Sequence, residues 1–340
     1  MIQKLTIQNY RVIKELICEL APFTVLVGPN GCGKSTFLEA LGICVTSFAH
    51  KNDQQTQANS FSNLMPPVGA SATVEFVTDG RVYNHTVFAD KDGSKSQKTK
   101  CNNSDATIEE ILREKGAPKF VIHAQFQVSF LKETSPTAAP ANLISMSGRG
   151  LAKLLAEWKL SDEDRFLSVK KSLFRIVPQI VDLGIDHPGD QYEYYVRLSS
   201  GIKVPSNKIS DGTAFALGLI AAIISTNKRK GLILIDDIDH HFHPKAQGQM
   251  LQQLRELLLA YPDVQMVVTT HSPYLLGHLT PMEVRCMTLG SDGYSRIAKL
   301  TDHPDFEKWK DEMNPGEFWS TIGEDWVAKP LPDEISGVSK

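Results

Sequence analysis

"GPNGCGKST", Gly28 to Thr36, is the stretch that decides the fold. It fits G-x-x-x-x-G-K-[ST] in full. It follows the β-rich run "FTVLVG" and precedes the helical stretch "STFLEALGICVTSF", the strand–loop–helix setting that gives the pattern its meaning. Gly28, Gly31 and Gly33 let successive backbone N–H groups turn inward around phosphate oxygens. The helix that follows adds its positive N-terminal end. Pro29, Asn30 and Cys32 complete the loop, with Cys32 read as a small filler rather than a redox switch. Lys34 is expected to reach the β- and γ-phosphates, the Ser35 hydroxyl to bind Mg²⁺, and Thr36 to touch the α-phosphate. The competing reading is a glycine-rich turn with no ligand.

A phosphate loop of this kind needs a carboxylate at the end of a second strand. "LILIDDIDHHFHP", residues 232 to 244, supplies one. Asp236 would hold the Mg²⁺ shell through water, and Asp237 stands where a carboxylate polarises the attacking water. Asp236, Asp237, His240, His241 and His243 also raise a zinc or iron reading, since histidine is a common ligand. Two features oppose it. The phosphate loop already claims the aspartates, and Pro244 starts a helix, which leaves the histidines on a turn.

The rest of the chain fits one large α/β domain with a side lobe. Its 340 residues are 41% hydrophobic with a formal net charge of −3, enough for a core and no demand for nucleic acid. Five scattered cysteines, never in a C-x-x-C pair, indicate a reducing compartment. "MIQKLTIQNYRVIKEL" alternates like a strand and is no signal peptide. The longest apolar run, Ala214 to Ile224, is too short for a bilayer and reads as a buried helix. A cytoplasmic location follows as an expectation.

Further expectations attach to single stretches. Asp79-Gly80 joins two alternating runs and signals a hairpin. "KDGSKSQKTKCNNSDA" reads as a lysine-rich loop and "KFVIHAQF" as a strand. "GRGLAKLLAEWKLSDEDRFLSVKKSLFRIVPQI" reads as helical, broken near Leu160-Ser161, where Ser161 can cap the second piece. A second hairpin turns at Ser200-Gly201. The helix "PKAQGQMLQQLRELLLAY" places Met250, Leu254 and Leu257 on one face. "VQMVVTTHS" is expected to be the last parallel strand.

"GPNGCGKST", "ISDGTAFALGL", "LILIDDIDHHFHP" and "VVTTHSP" stand in the order seen in ABC-type ATPases of the SMC, Rad50 and RecF kind. The chain most resembles small stand-alone ATPases related to the ATPase half of the OLD family, from "LTIQNYRVIKELICELAPFTVLVGPNG" to "PGEFWSTIGEDWV". The resemblance implies an α/β P-loop NTPase of ABC-ATPase type, with a mixed central sheet, an antiparallel β subdomain and a helical lobe. It implies a single ATPase domain over 1–340, with a nucleotide-binding core in 1–140 and 205–330 and a helical signature lobe in 141–204.

Roles carry over residue by residue. Ser210, Asp211 and Gly212 resemble the signature motif, which meets the γ-phosphate of nucleotide held by the partner subunit. "LSSG", 198 to 201, imitates a signature but is followed by "IKVPSN", which suits a hairpin turn. His271 resembles the switch histidine, and His243 stands at the D-loop; His240 and His241 receive no role. The family's usual Glu after the Mg²⁺ aspartate is Asp237 here, one methylene shorter, which puts the hydrolysis rate in question. Gln125 and Gln127 are both candidates for the Q-loop ligand of Mg²⁺, with Gln125 preferred. Tyr10 or Arg11 is a candidate to pack on adenine, although Tyr10 fits the core equally well.

The implied cofactors are ATP and Mg²⁺, and the implied assembly is a homodimer, or a higher oligomer, closed around ATP. The chain has no long coiled coil, zinc hook or membrane segment, and a Toprim nuclease domain does not fit after "HSP". The first functional expectation is therefore a regulatory ATPase of an anti-phage or toxin module, acting on a separate nuclease or toxin. The second is a DNA-repair ATPase like RecF. It would need a basic stripe, of which Lys228, Arg229 and Lys230 are a thin start, and a salt-dependent DNA affinity. A transporter's nucleotide subunit fits less well, given the "DGT" signature and the unclear Q-loop.

Overall fold

The computed structural model describes residues 1–49, 71–89, 95–101, 120–124, 126–138, 145, 147–227 and 229–328. In chain order the elements are β1 (Ile2–Tyr10), β2 (Ile13–Glu19), β3 (Phe23–Val27), α1 (Lys34–Ala49), β4 (Ser71–Thr78), β5 (Arg81–Ala89), β6 (Lys95–Cys101), β7 (Phe120–Ala124), α2 (Val128–Leu131), β8 (Ser135–Pro136), α3 (Leu151–Ser161), α4 (Glu163–Ile176), β9 (Ile180–Asp186), β10 (Gln191–Leu198), β11 (Lys203–Pro205), α5 (Asp211–Ser225), β12 (Gly231–Ile235), α6 (Pro244–Ala260), β13 (Val264–Thr269), α7 (Pro273–Leu276), β14 (Val284–Leu289), β15 (Ser295–Lys299), α8 (Phe306–Trp309) and α9 (Pro315–Ile322). They form two compact units: Met1–Val121 with Gln265–Lys340, and Ile122–Val264.

The first unit holds an antiparallel sheet in the order β2-β1-β4-β5-β6. Its strands alternate because one face is buried: Ala72, Val74, Phe76 and Thr78 of β4 all point inward. Asp79 and Gly80 both have positive φ, 49° and 75°, and Thr78 pairs with Arg81 across them. That is the geometry a two-residue hairpin turn requires. Phe76 stacks on its cross-strand partner Tyr83 with ring centroids 4.9 Å apart. The lysine-rich stretch departs from expectation, because Lys95–Cys101 forms β6 against β5. An outermost strand does not need an apolar face, and its lysines discourage pairing with another chain.

The unit's second sheet places β3 between β13 and β14, both parallel to it, with β15 antiparallel beyond β14. All five residues of β3 and all six of β13 are buried, as strands covered on both faces must be. "VQMVVTTHS" is thus not the last parallel strand; β14 follows it. The signal was present, in "VRCMTLGSDGYSRIAK", two strand-like runs around a glycine-bounded turn. The buried Arg285, second residue of β14, hid it.

The second unit is built round α5. Every residue from Thr213 to Ile224 is buried, so this helix is apolar all round and sits among others. α4 and α6 both pack on it. Leu131 of α2 fits where Gly218 has no side chain. Met250, Leu254 and Leu257 of α6 are buried as their spacing requires. The break between α3 and α4 is capped by Asp162, which accepts from the Arg165 N–H. Ser161, the expected cap, instead donates to the Glu157 carbonyl one turn back. The helical stretch ends at Ile176, and Ile180 opens β9. The Ser200-Gly201 hairpin forms as expected, with Gly201 at φ 85° and its N–H bonded to the Leu198 carbonyl. "LSSG" is this turn and not a helix start.

Candidate phosphate site

β3 ends at Val27 and delivers the chain into Gly28–Gly33; α1 begins at Lys34. The three glycines of the loop are not equivalent, although the motif's spacing treats them alike. At Gly28 a Cβ would collide with the Met287 carbonyl oxygen of β14. Gly33 has φ 103°, and a Cβ there would lie 2.5 Å from the Ser295 hydroxyl of β15. The β14–β15 hairpin is therefore the wall against which the loop is shaped at both positions. Gly31 is exposed at the loop's tip, and a Cβ there would meet nothing within 4 Å. Its φ of 79° alone selects glycine, so Gly31 serves the turn and not the packing. Pro29 and Asn30 are exposed beside it. Cys32 is fully buried and burial raises its thiol pKa; a neutral thiol suits its part as filler.

Lys34 is buried, and its ammonium donates to the carbonyls of Gly28 and Pro29 at 3.0 Å each. Among the described residues it has no carboxylate partner, so its charge is held by dipoles alone. An anion in the loop would be a stronger acceptor than either carbonyl. Ser35 is exposed in the first turn of α1, and Thr36 is half-buried.

His271 lies at the same edge. It follows β13, and the Thr270 N–H bonds to the Leu26 carbonyl of β3 at 3.1 Å. The loop and His271 thus leave the carboxyl ends of two adjacent parallel strands, the place where open α/β sheets present ligand-binding loops. The neighbouring Ser272 caps α7 by accepting from the Leu275 N–H.

In the second unit, Asp236 and Asp237 directly follow β12, whose five residues are all buried. Both aspartates are half-buried, and Asp237 takes a left-handed backbone, φ 51°, uncommon outside glycine and tolerated best by Asn and Asp. His243 caps α6 and is exposed. His241 lies with its ring 5.0 Å from Phe215 and 5.1 Å from His240. Among the described residues no group of three or more His, Cys, Asp and Glu is placed to hold a metal ion.

Ser210, Asp211 and Gly212 form the start of α5. Ser210 is its N-cap; its hydroxyl accepts from the Thr213 N–H at 3.2 Å and lies 2.8 Å from the Thr213 hydroxyl. Gly212 allows the His241 carbonyl to approach, since a Cβ there would lie 2.6 Å from it. Asp211 pairs with Lys132 at 2.5 Å, and this bond holds its carboxyl below the usual carboxylate range. A cavity of about 550 Å³ opens here, lined by Ser210 to Thr213, His241 to His243 and the Ile176–Gln179 turn.

Gln125 lies outside the described residues, as does Lys228; Gln127 is described, exposed at the start of α2. Tyr10 is fully buried, so it belongs to the core and offers no face to a base. Arg11 remains outside, paired with Glu39 of α1 at 2.5 Å. Residues that sequence reasoning missed are Met287 and Ser295 behind the loop, Lys132 beside Asp211, and His241 against α5.

Residues 23–277 match the family described as "AAA domain, putative AbiEii toxin, Type IV TA system". The chain is 22% identical over 324 residues to the OLD nuclease of Thermus scotoductus, covering 80% of this chain and 59% of that protein. It is 22% identical over 303 residues to Septu protein PtuA of Bacillus mycoides, covering 83% of this chain and 40% of that one. The chain thus spans only about half the length of these curated relatives. Among solved structures, the SMC head bound to the C-winged helix domain of ScpA superposes with a TM-score of 0.62 at 18% identity, over 87% of this chain and 96% of that one. The fold is that of the ABC-type SMC heads.

Proposed function

Since the chain belongs to this AAA-domain family of P-loop ATPases, we propose that it binds and hydrolyses ATP and that two copies close around the nucleotide. The observation that carries the reading is the loop Gly28–Thr36. It is walled by β14–β15, it shares a strand edge with His271, and it holds a lysine bonded, among the described residues, to the loop's own carbonyls.

Lys34 binds the β- and γ-phosphates, and the N–H groups of Gly31, Gly33 and the first turn of α1, with Thr36, complete the cradle. Ser35 and Asp236 fit Mg²⁺, since a hydroxyl and a carboxylate are hard oxygen donors; Gln125 is the third candidate ligand. Mg²⁺, when bound, neutralises phosphate charge. Asp237 orients and deprotonates the attacking water, and His271 holds the γ-phosphate oxygens. Ser210, Asp211 and Gly212 of one copy meet the nucleotide of the other. The two compact units then act as parts of one ATPase domain, and ATP favours the closed dimer because it bonds to both copies.

The biological setting we propose is a regulatory subunit of an anti-phage or toxin–effector module, acting on a separate nuclease or toxin. Support comes from the family's description and from the named relatives. The test compares wild type with Asp237→Asn in the natively purified complex. The variant is expected to retain ATP and a closed dimer that wild type releases. Equal nucleotide release by both proteins would remove Asp237 from the mechanism.

A further inference from the structure

The loop's shape depends on a residue 263 positions after Cys32. Ser295 opens β15 and is fully buried. Its hydroxyl donates to the Cys32 carbonyl at 2.7 Å, and its own N–H donates to the Val12 carbonyl at 2.8 Å. The hydroxyl is thus held on a strand anchored from the other side, not on a free rotor. It engages one peptide plane, Cys32–Gly33, in the middle of the phosphate loop.

That peptide is trans. In a trans peptide the C=O and the following N–H point in opposite directions. Fixing the Cys32 carbonyl toward β15 therefore fixes the Gly33 N–H away from it. Gly33 has no side chain to hold this orientation, and its φ of 103° is open chiefly to glycine, which is also free to leave it. We propose that Ser295 is a positioning residue for nucleotide binding: its hydroxyl locks the Cys32–Gly33 peptide so that the Gly33 N–H stays aimed at the phosphates. The inference rests on the proposed ATP site and adds to it the residue that preorganises one of its donors. Fixed donors stabilise an anion more than donors that must first reorient.

The test measures affinity for ATP and ADP by calorimetry, with melting temperature alongside, for wild type, Ser295→Ala, Ser295→Cys and Lys34→Ala. Ser295→Ala is expected to weaken both nucleotides about tenfold, raise KM, and leave kcat within about twofold. Ser295→Cys, which keeps a weaker donor, should fall between alanine and wild type. A lower melting temperature for Ser295→Ala with unchanged affinity would make the residue merely structural and overturn the inference. If Ser295→Ala does not fold, the cysteine variant decides: affinity equal to wild type overturns the inference, and weakened affinity supports it. Lys34→Ala separates the two levels. If it keeps its affinity, the ATP site itself is wrong; if it loses affinity while Ser295→Ala does not, only the role of Ser295 fails.

Discussion

The start of α1 and the start of α5 are both helix N-termini suited to phosphate, yet they are built in opposite ways. At α1 the loop has almost no polar side chain of its own. Its shape comes from glycines pressed against a distant hairpin, and its charge from Lys34 folded back on the loop. At α5 the helix end is closed by its own residues. Ser210 takes up the Thr213 N–H, and Asp211 brings a negative charge that Lys132 offsets. The first is a loop whose shape and charge would suit the proposed phosphate. The second is a capped end whose carboxylate stands in an anion's way unless its partner is in place.

That contrast is most sharply broken or upheld at Lys34. Lys34→Ala is expected to abolish ATP binding, a loss of at least about a hundredfold, with the melting temperature unchanged; calorimetry and thermal denaturation together check it. Gly28→Ala should lose both. The added carbon meets the Met287 carbonyl, and overpacking of this kind costs about 1–3 kcal/mol, readable as a lower urea midpoint as well as weaker ATP binding.

At α5 the expected effects are smaller and fall on assembly. Lys132→Ala leaves Asp211 unneutralised and should weaken ATP-dependent dimerisation about tenfold. Adding Asp211→Asn should restore it, and sedimentation in the Asp237→Asn background is the measurement. Stability should change by less than about 1 kcal/mol, since Asp211 is well exposed. No restoration in the double variant would mean that Lys132 does more than balance one charge.

The smallest effect concerns pH. Burial, then the neighbouring His240, lowers the pKa of His241 from its ordinary 6.5. The folded chain therefore binds fewer protons here than the unfolded chain. This contribution to stability is present above pH 6.5 and is lost as pH falls through the lowered value. Melting between about pH 7.5 and 5 should shift less in His241→Gln than in wild type, by about one or two degrees.

The asymmetry also explains what could be read in advance. The loop, the Asp79-Gly80 turn and the apolar run Ala214 to Ile224 of α5 carry local signals: fixed spacing, positive-φ residues, an unbroken apolar stretch. Gly31 is legible in the same way, because only its own backbone angle requires it. Ser295 and Met287 carry no such signal. Their contacts with Cys32 and Gly28 join residues far apart in the chain, and no periodicity in either segment points to the other. Lys132 is similar, reaching Asp211 across 79 residues. Asp162 displaced Ser161 as a cap through a one-residue difference in where α3 stops, a boundary that propensity cannot resolve. Tyr10 was ambiguous because tyrosine is found both in cores and on ligands, and only packing separates the two.

One pairing has a consequence for how the molecule is made. β3 lies between strands encoded far later in the chain: Thr24 faces Val267, and Val25 faces Val284. As the chain leaves the ribosome, the glycine loop precedes both flanking strands and the hairpin behind it by more than two hundred residues. Such long-range closure is slow. Until Ser295 is out, the nascent chain has an uncovered apolar strand and no finished cradle, a state that chaperones are suited to shield.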